Sequence, residues 1–170
     1  MNPLNENPHA DLGGIFTEYM SNFYPSPVVL DNWQFPTVEN AFQAAKTTDL
    51  VVRLDFRDVG PGKAKRMGRK LLLRPGWEKV KDQVMLDLLR QKFADDPLKT
   101  TLLDTEDQHL IEFTTWHDTY WGVCLGGCRK GWPPTKFVKP HEKGIGQNKL
   151  GLMLEQVRFE LRRADRFTWV

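Results

Sequence analysis

Three side chains of different chemistry share one side of a predicted helix in the first third of the chain. Thr37 follows Pro36 and is a favourable residue at which to cap a helix start. Glu39, Gln43 and Lys46 then recur at i, i+4 and i+7, which places a carboxylate, an amide and an ammonium along one stripe. Such a set of groups is typical of acid–base chemistry or of binding to a polar, anionic substrate.

Glu39 itself has two interpretations. In the first turn of a helix, unpaired N–H groups and the helix dipole favour a negative charge, so a glutamate can lie there without any further role. The alternative is a functional carboxylate that the helix end keeps ionised. In that form it suits a base, a nucleophile or a stabiliser of developing positive charge better than a general acid. The spacing leaves both open.

The elements that must position this stripe are predicted from apolar periodicity and from breakers. The Thr37 helix faces the core through Val38, Ala41, Phe42 and Ala45. Short strands are predicted at 15–17, 28–30, 33–35 and 109–114, with a turn at Asp31-Asn32. Further helices are predicted from the breaker at 60–62 to Leu71, from 77 to 93, from 98 to 103 and from 148 to 163.

These elements predict an α+β, helix-rich fold with a few short strands. A flexible arm is expected at 1–13, and a single domain at 14–170. A long irregular segment at 115–147, rich in glycine and proline, precedes the C-terminal helix; loops of that length in a compact domain are often functional.

Composition excludes several classes of protein. No apolar run approaches the roughly 18 residues of a membrane span, and the polar N-terminus lacks the pattern of a secretory signal. Two cysteines, Cys124 and Cys128, favour a reducing compartment, and we expect a soluble cytoplasmic protein. The net charge of +2 is too small to indicate nucleic-acid binding by itself.

A basic segment follows the first breaker. Six cations occur between 63 and 74 without an acidic residue: Lys63, Lys65, Arg66, Arg69, Lys70 and Arg74. The segment is either a solvated helix face or a surface that contacts phosphate or nucleic acid.

Other chemistry-bearing residues are less informative. Trp77 begins an apolar stripe and belongs either to the core or to a base-stacking surface; Trp121 either stacks on a base or anchors the long loop. The spacing of Cys124 and Cys128 is compatible with zinc, but His117 and His141 stand alone and lack the paired spacing of a zinc finger, so we expect two reduced cysteines, no metal and no cofactor. Ser21 has no nucleophile motif around it, and no Walker or Rossmann glycine pattern is present.

An ordered set of motifs resembles the signature of the NADAR (YbiA-like) family over residues 14–162. The motifs are SNFYP at 21–25, FPTVENAFQAAK at 35–46, RMGR at 66–69, WEKVK at 77–81, LIE at 110–112, DTYWG at 118–122, GQNKLG at 146–151 and EQVR at 155–158. No single motif is specific, but their order is. The resemblance implies a single YbiA-like domain.

The resemblance also implies an N-glycosidase. Some family members cleave phosphoribosylated pyrimidine intermediates of riboflavin synthesis, and others remove ADP-ribose from guanine bases in nucleic acid. The family glutamate falls on Glu39, which the resemblance makes catalytic, and the family tryptophan falls on Trp77. Acidic and aromatic family positions fall on Glu112, Asp118 and Trp121.

The chain departs from the family pattern after Trp121-Gly122. YbiA-type members have an aspartate where this chain has Val123, so its role is absent or is supplied by Asp118 or Glu112. The segment between Gly122 and Asn148 is also longer than in the shortest members. Substrate specificity is therefore the property that the family resemblance implies least securely for this chain.

We hypothesise hydrolysis through an oxocarbenium-like transition state, with Glu39 stabilising the anomeric carbon or activating water. Trp77 or Trp121 would stack on the leaving base, and Lys46 with one or more of Lys65, Arg66 and Arg69 would hold phosphates. The predicted substrate-binding set is Asn22, Phe23, Gln43, Lys46, Arg66, Arg69, Trp77, Glu112, Asp118, Trp121 and Asn148, with Asn22, Gln43 and Asn148 at ribose hydroxyls. The expected substrate is an ADP-ribose-like nucleotide or ADP-ribosylated nucleic acid. Two alternatives remain: a non-catalytic ADP-ribose or nucleotide reader, and a nucleic-acid-binding protein that uses the basic helix.

Overall fold

The structure of the chain is a computed structural model that describes residues 14–124 and 146–167, with side chains described as far as residue 164. It combines helices with short strands and confirms the predicted α+β, helix-rich class. Along the chain the elements are β1 (Gly14–Ile15), a 3-10 turn (Glu18–Met20), β2 (Val28–Leu30), β3 (Trp33–Phe35), α1 (Val38–Ala44), α2 (Leu50–Leu54), α3 (Pro61–Gly68), α4 (Trp77–Lys92), α5 (Leu98–Leu103), β4 (His109–Leu110), β5 (Phe113–Thr114), β6 (Val123–Cys124) and α6 (Lys149–Phe167).

The described residues divide into two compact units. We call residues 18–104 the Glu39 unit, and residues 14–17, 105–124 and 146–167 the Asn148 unit. The single domain predicted for 14–170 stays a prediction. The predicted arm at 1–13 lies outside the described residues.

A two-stranded hairpin opens the Glu39 unit. Strands β2 and β3 pair antiparallel, with Val28 opposite Phe35, and confirm the predicted strands. Asp31 and Asn32 at the turn adopt φ values of 49° and 65°. Two positive φ values match the twist of a tight hairpin, and aspartate and asparagine tolerate them better than most residues.

Helix α1 is the centre of the Glu39 unit. The predicted apolar stripe is buried, and so is every other residue of the helix. Thr37 caps the start in extended conformation, and its hydroxyl oxygen accepts the backbone N–H of Asn40 at 3.2 Å. Asn40 in turn donates two side-chain hydrogen bonds of 2.7 Å, to the carbonyl oxygens of Phe56 and Val59. Helix α1 packs against α3, α4 and the hairpin, and the structure confirms the helix predicted at this position.

Two helix predictions differ from the structure. Helix α3 ends at Gly68, so Leu71 lies outside it, and the following Leu72 is 92% exposed. Leu73 is also exposed, at 45%, so a longer helix would gain little apolar burial before Gly76, in left-handed conformation (φ 74°), precedes α4. Helix α2 was not predicted, because its five residues are too few for an apolar period; the side chain of Asp49 caps it instead.

The Asn148 unit contains two parallel pairs of very short strands, β1 with β4 and β5 with β6. The single strand predicted at 109–114 is wrong. It divides into β4 and β5 because the N–H of Ile111 donates to Ile15 and the N–H of Glu112 donates to the side chain of Asn148. Helix α6 confirms the predicted C-terminal helix and buries Leu150, Leu154 and Val157.

The segment predicted as irregular at 115–147 contains strand β6, and its part from 125 to 145 lies outside the described residues. Cys124 is disulfide-bonded, so the expectation of reduced cysteines is wrong at this position. Within the described ranges, no helix combines the length and apolarity that a membrane crossing requires.

Candidate active site

Glu39 occupies the first turn of α1 and is 5% exposed. Its backbone N–H is one of those that a helix start leaves without an intrahelical partner. The carbonyl oxygen of Asn22 accepts that N–H at 3.0 Å. The position of Glu39 is therefore set both by its own helix and by the segment before β2.

Gln43 lies one turn after Glu39 and is equally buried. Its amide Nε2 donates to Oε1 of Glu39 at 2.9 Å. This contact confirms the Glu39–Gln43 part of the predicted stripe, in which residues four apart meet on one helix face, whereas Lys46 lies beyond the end of α1 at Ala44. Two amide oxygens, Oε1 of Gln43 itself and Oδ1 of Asn22, are buried and have no hydrogen-bond partner in the described part of the chain. Buried acceptors of this kind are rare and are a common sign of a polar ligand or water.

Helix α3 approaches α1 at Gly68. A Cβ atom added there would lie 1.8 Å from Oε1, 2.7 Å from Cδ and 3.0 Å from Cβ of Gln43. The absence of a side chain at Gly68 therefore permits the conformation in which Gln43 reaches Glu39. Sequence reasoning did not identify this residue, although a glycine inside a helical pattern often has a packing reason.

Three cations surround the Glu39 carboxyl. In order of effect, Lys65, Lys46 and Arg69 each favour its ionised form. Lys65 lies on α3, and Arg69 caps the end of that helix, where its N–H donates to the carbonyl oxygen of Lys65 one turn earlier. The ammonium of Lys65 also lies 5.6 Å from the ring centre of Phe23, and that of Lys46 lies 5.8 Å from the ring centre of Phe42. The site therefore combines one buried carboxyl with a cationic surround.

The electrostatics correct one expectation about Glu39. Burial raises the pKa of its carboxyl above the ordinary 4.5, and this effect outweighs the opposing influence of Lys65, the Gln43 hydrogen bond, Lys46 and Arg69. The expectation of a carboxylate kept ionised by the helix end neglected the cost of removing the charge from water. A raised pKa moves the group towards the range in which a carboxyl both accepts and returns a proton.

This raised pKa gives a prediction about stability. Because the folded pKa exceeds the unfolded one, the contribution of Glu39 to stability is fully present below about pH 4.5. It is lost as pH rises through the folded pKa. We expect Glu39→Gln to raise the melting temperature at pH 7 and to leave it almost unchanged at pH 4. Thermal unfolding of both proteins at the two pH values measures this. A lower melting temperature for the variant at pH 7 would contradict the burial argument.

The other predicted binding residues of the Glu39 unit differ in exposure and in the side chains they contact. Phe23 is 38% exposed and lies beside Lys65, whereas Arg66 is on the exposed face of α3. Trp77 is 5% exposed, and its ring lies 5.2 Å from that of Phe42 at an angle of 55°. The core alternative for Trp77 therefore gains support over base stacking.

The remaining predicted residues belong to the Asn148 unit, where they form a network of their own. The side chain of Asn148 accepts the N–H of Glu112 at 3.1 Å and donates to the carbonyl oxygen of Leu110 at 2.8 Å. One carboxylate oxygen of Asp118 accepts the N–H groups of Tyr120 and Trp121. The carbonyl oxygens of Tyr120 and Trp121 in turn accept the first N–H groups of α6, from Lys149 and Leu150. The binding roles expected for Glu112, Asp118, Trp121 and Asn148 stay predictions.

Comparison with known proteins identifies the family. The NADAR domain family matches residues 13–162. The chain belongs to the NADAR family. Within it, the N-glycosidase YbiA of Escherichia coli K12 is 39% identical over 145 residues, covering 83% of this chain and 79% of that protein. A riboflavin biosynthesis protein of Vibrio vulnificus is 32% identical over 149 residues, covering 84% of this chain and 35% of that protein.

Solved structures agree with the NADAR assignment. The NMR structure of the Escherichia coli protein YbiA matches with a TM-score of 0.68 at 37% identity, covering 86% of this chain and 79% of that one. The fold is therefore YbiA-like, as predicted. Since the NADAR relative that is similar along most of its length is an N-glycosidase, the chain belongs with the glycosyl hydrolases.

Proposed function

We propose that the chain hydrolyses the N-glycosidic bond of an ADP-ribose-type nucleotide and that it removes ADP-ribose from guanine bases in nucleic acid. The observation that carries this proposal is the buried, hydrogen-bonded Glu39–Gln43 pair with three cations around it. A carboxyl supports the chemistry at the sugar carbon, and the cations complement the phosphates of the same substrate.

In the proposed step, a water oxygen bonds to the anomeric carbon while the bond from that carbon to the base nitrogen breaks. The electron pair of the broken bond leaves with the base, and Glu39 accepts a proton from the attacking water. The sugar passes through an oxocarbenium-like transition state, whose positive charge the carboxylate stabilises. Glu39 then returns the proton to the departing base, which a carboxyl of raised pKa does more readily.

Charge matching supports a phosphorylated substrate. Lys46, Lys65 and Arg69 interact with the Glu39 carboxyl, and Glu78 is a second carboxyl that interacts with Lys46, so these cations outnumber the carboxyls by three to two. Lys46 pays a burial penalty that lowers its pKa, and both neighbouring cations lower it further. A bound diphosphate would relieve this repulsion. The buried oxygen of Asn22 would accept a hydroxyl or amine hydrogen from the same ligand.

The phosphate assignment predicts the effect of Lys65→Met. Removing this cation is expected to raise KM for a diphosphate substrate by about tenfold to a hundredfold, since a hydrogen bond to a charged group contributes about 1.5 to 3 kcal/mol. Lys63→Met, on the exposed surface of the same helix, is the matched control and should leave KM within about twofold. Steady-state kinetics at fixed ionic strength measure both. An equal KM for the two variants would contradict the assignment of Lys65.

The exposed cations on α3 and directly after it favour a substrate carried by nucleic acid over a free nucleotide. Lys63, Arg66 and Lys70 are solvent-exposed, and no acidic residue interrupts the segment that contains them. Such a surface suits the phosphates that flank a modified base. Activity on ADP-ribosylated DNA should then fall steeply with salt, while activity on a free ADP-ribosyl nucleoside should fall little.

A second candidate is hydrolysis of phosphoribosylated pyrimidine intermediates of riboflavin synthesis. It is favoured by the name of the Vibrio vulnificus relative, although this chain covers only 35% of that protein. Incubation with both substrate classes, followed by chromatography of the released ADP-ribose and of the released pyrimidine base, separates the two candidates. A kcat/KM at least tenfold higher for the phosphoribosylated pyrimidine would replace the ADP-ribose proposal. Tight ADP-ribose binding with no hydrolysis of either class would identify a reader.

A further inference from the structure

Lys92, the last residue of α4, is a buried lysine that the proposed reaction does not use. It is 4% exposed, and its Nζ donates to the carbonyl oxygen of Ser21 at 2.7 Å. The ammonium lies 5.7 Å from the ring centre of Tyr24 and 5.1 Å from that of Phe93. An apolar side chain of similar volume is often at least as stable as a buried charge, so core packing alone does not account for a lysine here.

The segment that Lys92 holds also reaches Glu39. Asn22 follows Ser21 directly, and its carbonyl oxygen accepts the backbone N–H of Glu39 at 3.0 Å. The side-chain amide of Asn22 donates to the sulfur of Met85 at 3.4 Å. Met85 and Lys92 are seven residues apart and lie on the same face of α4. One face of α4 therefore makes two contacts to residues 21 and 22, and residue 22 contacts the first turn of α1.

We propose that Lys92 is a positioning residue, whose ammonium fixes the backbone of residues 21–24 so that the carbonyl of Asn22 holds Glu39 in place. Charge-assisted hydrogen bonds such as the one to Ser21 are stronger than neutral ones, which makes a lysine effective here where leucine or methionine would not be. The effect on turnover rests on the proposed function of Glu39. The contact from Asn22 to Glu39 can be measured without any substrate.

The protonation of Lys92 makes this positioning of Glu39 dependent on pH. Burial lowers the pKa of Lys92 to about 7, and the titratable group that faces it from residues 21–24 is Tyr24. The folded pKa lies below the ordinary 10.5, so the unfolded chain binds this proton more tightly. The contribution of Lys92 to stability is therefore lowest below pH 7 and grows between about pH 7 and 10.5. The hydrogen bond from Lys92 to the carbonyl oxygen of Ser21 weakens over the same range, because the ammonium becomes a neutral amine.

The test compares Lys92→Met with Lys92→Arg, which keeps the charge, and with Lys79→Met, an exposed lysine of the same helix. At pH 6 we expect Lys92→Met to stay folded with an unchanged or higher melting temperature. We expect hydrogen exchange of the Glu39 amide to be at least tenfold faster in this variant. Turnover should fall about tenfold at nearly constant KM. Lys92→Arg should recover most of the protection, and Lys79→Met should match the wild type.

The proposal would be overturned if the Glu39 amide exchanged at the wild-type rate in Lys92→Met. It would also be overturned if Lys92→Met and Lys92→Arg lost the same protection from exchange, because that result would indicate a role in packing alone. If Lys92→Met does not fold, Lys92→Gln takes its place under the same criteria. If the chain proves inactive on all N-glycosidic substrates, the exchange measurement still decides the role of Lys92. Failure of the proposed function and failure of this inference are thus distinguishable.

Discussion

Glu39→Gln is expected to lower kcat for hydrolysis of the N-glycosidic bond by about 10²- to 10⁴-fold, the range that one acid–base group contributes. The variant keeps the size of the side chain and its position beside Gln43 but removes the proposed proton acceptor at the anomeric carbon. Substrate affinity should change by no more than about threefold, because the cations proposed to bind the phosphates remain. Single-turnover kinetics with a separate binding measurement give both quantities.

The matched control is Glu18→Gln, which removes an exposed carboxylate from the same unit. It should turn over at the wild-type rate. Wild-type kcat in Glu39→Gln would remove Glu39 from the mechanism, and equal losses in both variants would show that the effect is not local to the site. A large loss of affinity in Glu39→Gln alone would assign the carboxyl to binding instead.

Gly68→Ala is expected to affect both activity and stability through Gln43. The added methyl group would overlap the Gln43 side chain as far back as its Cβ, so a movement of the amide tip alone cannot relieve the clash. Overpacking costs about 1 to 3 kcal/mol, against up to about 1 kcal/mol gained from the better helix former. We therefore expect the unfolding free energy to fall by about 1 to 2 kcal/mol. Displacing Gln43 from Glu39 should lower kcat by about tenfold to a hundredfold, since hydrogen bonds to charged groups contribute about 1.5 to 3 kcal/mol.

Gly60→Ala is the matched control for this prediction. Gly60 precedes the same helix with a φ of −66°, and an added Cβ there would meet no atom within 4 Å. Denaturant unfolding and steady-state kinetics on both variants give the comparison. The pKa that limits kcat at low pH should also rise in Gly68→Ala, because the hydrogen bond from Gln43 lowers the pKa of Glu39. If Gly68→Ala matched Gly60→Ala in both measurements, the close approach of α3 would have no part in the site.

An element of the fold could be predicted when the residues that determine it lie close together in the sequence. Helix α1 could be predicted because its cap, its apolar stripe and its polar stripe all lie within ten residues of sequence. The break between β4 and β5 could not, since it depends on a hydrogen bond from Glu112 to Asn148, 36 residues away. Helix α2 was missed for a third reason: a single turn capped by Asp49 has no measurable period.

The candidate site shows the same limit. Spacing alone placed Gln43 next to Glu39, and the structure confirms it. Spacing could not show that Glu39 is buried, so it could not weigh the helix end against desolvation, which raises the pKa of the carboxyl. The contacts of Gly68 with Gln43 and of Lys92 with Ser21 join different elements, and no local pattern contains them.

The most direct test of the central claim is a time course of ADP-ribose release from DNA that carries ADP-ribose on guanine, run in ¹⁸O-labelled water with wild type and Glu39→Gln. We expect the wild type to release ADP-ribose with one labelled oxygen at the anomeric carbon and to restore an equal amount of unmodified guanine within the DNA. The variant should do neither over the same period. Absence of ADP-ribose release by the wild type from this substrate, or release that Glu39→Gln matches, would contradict the account.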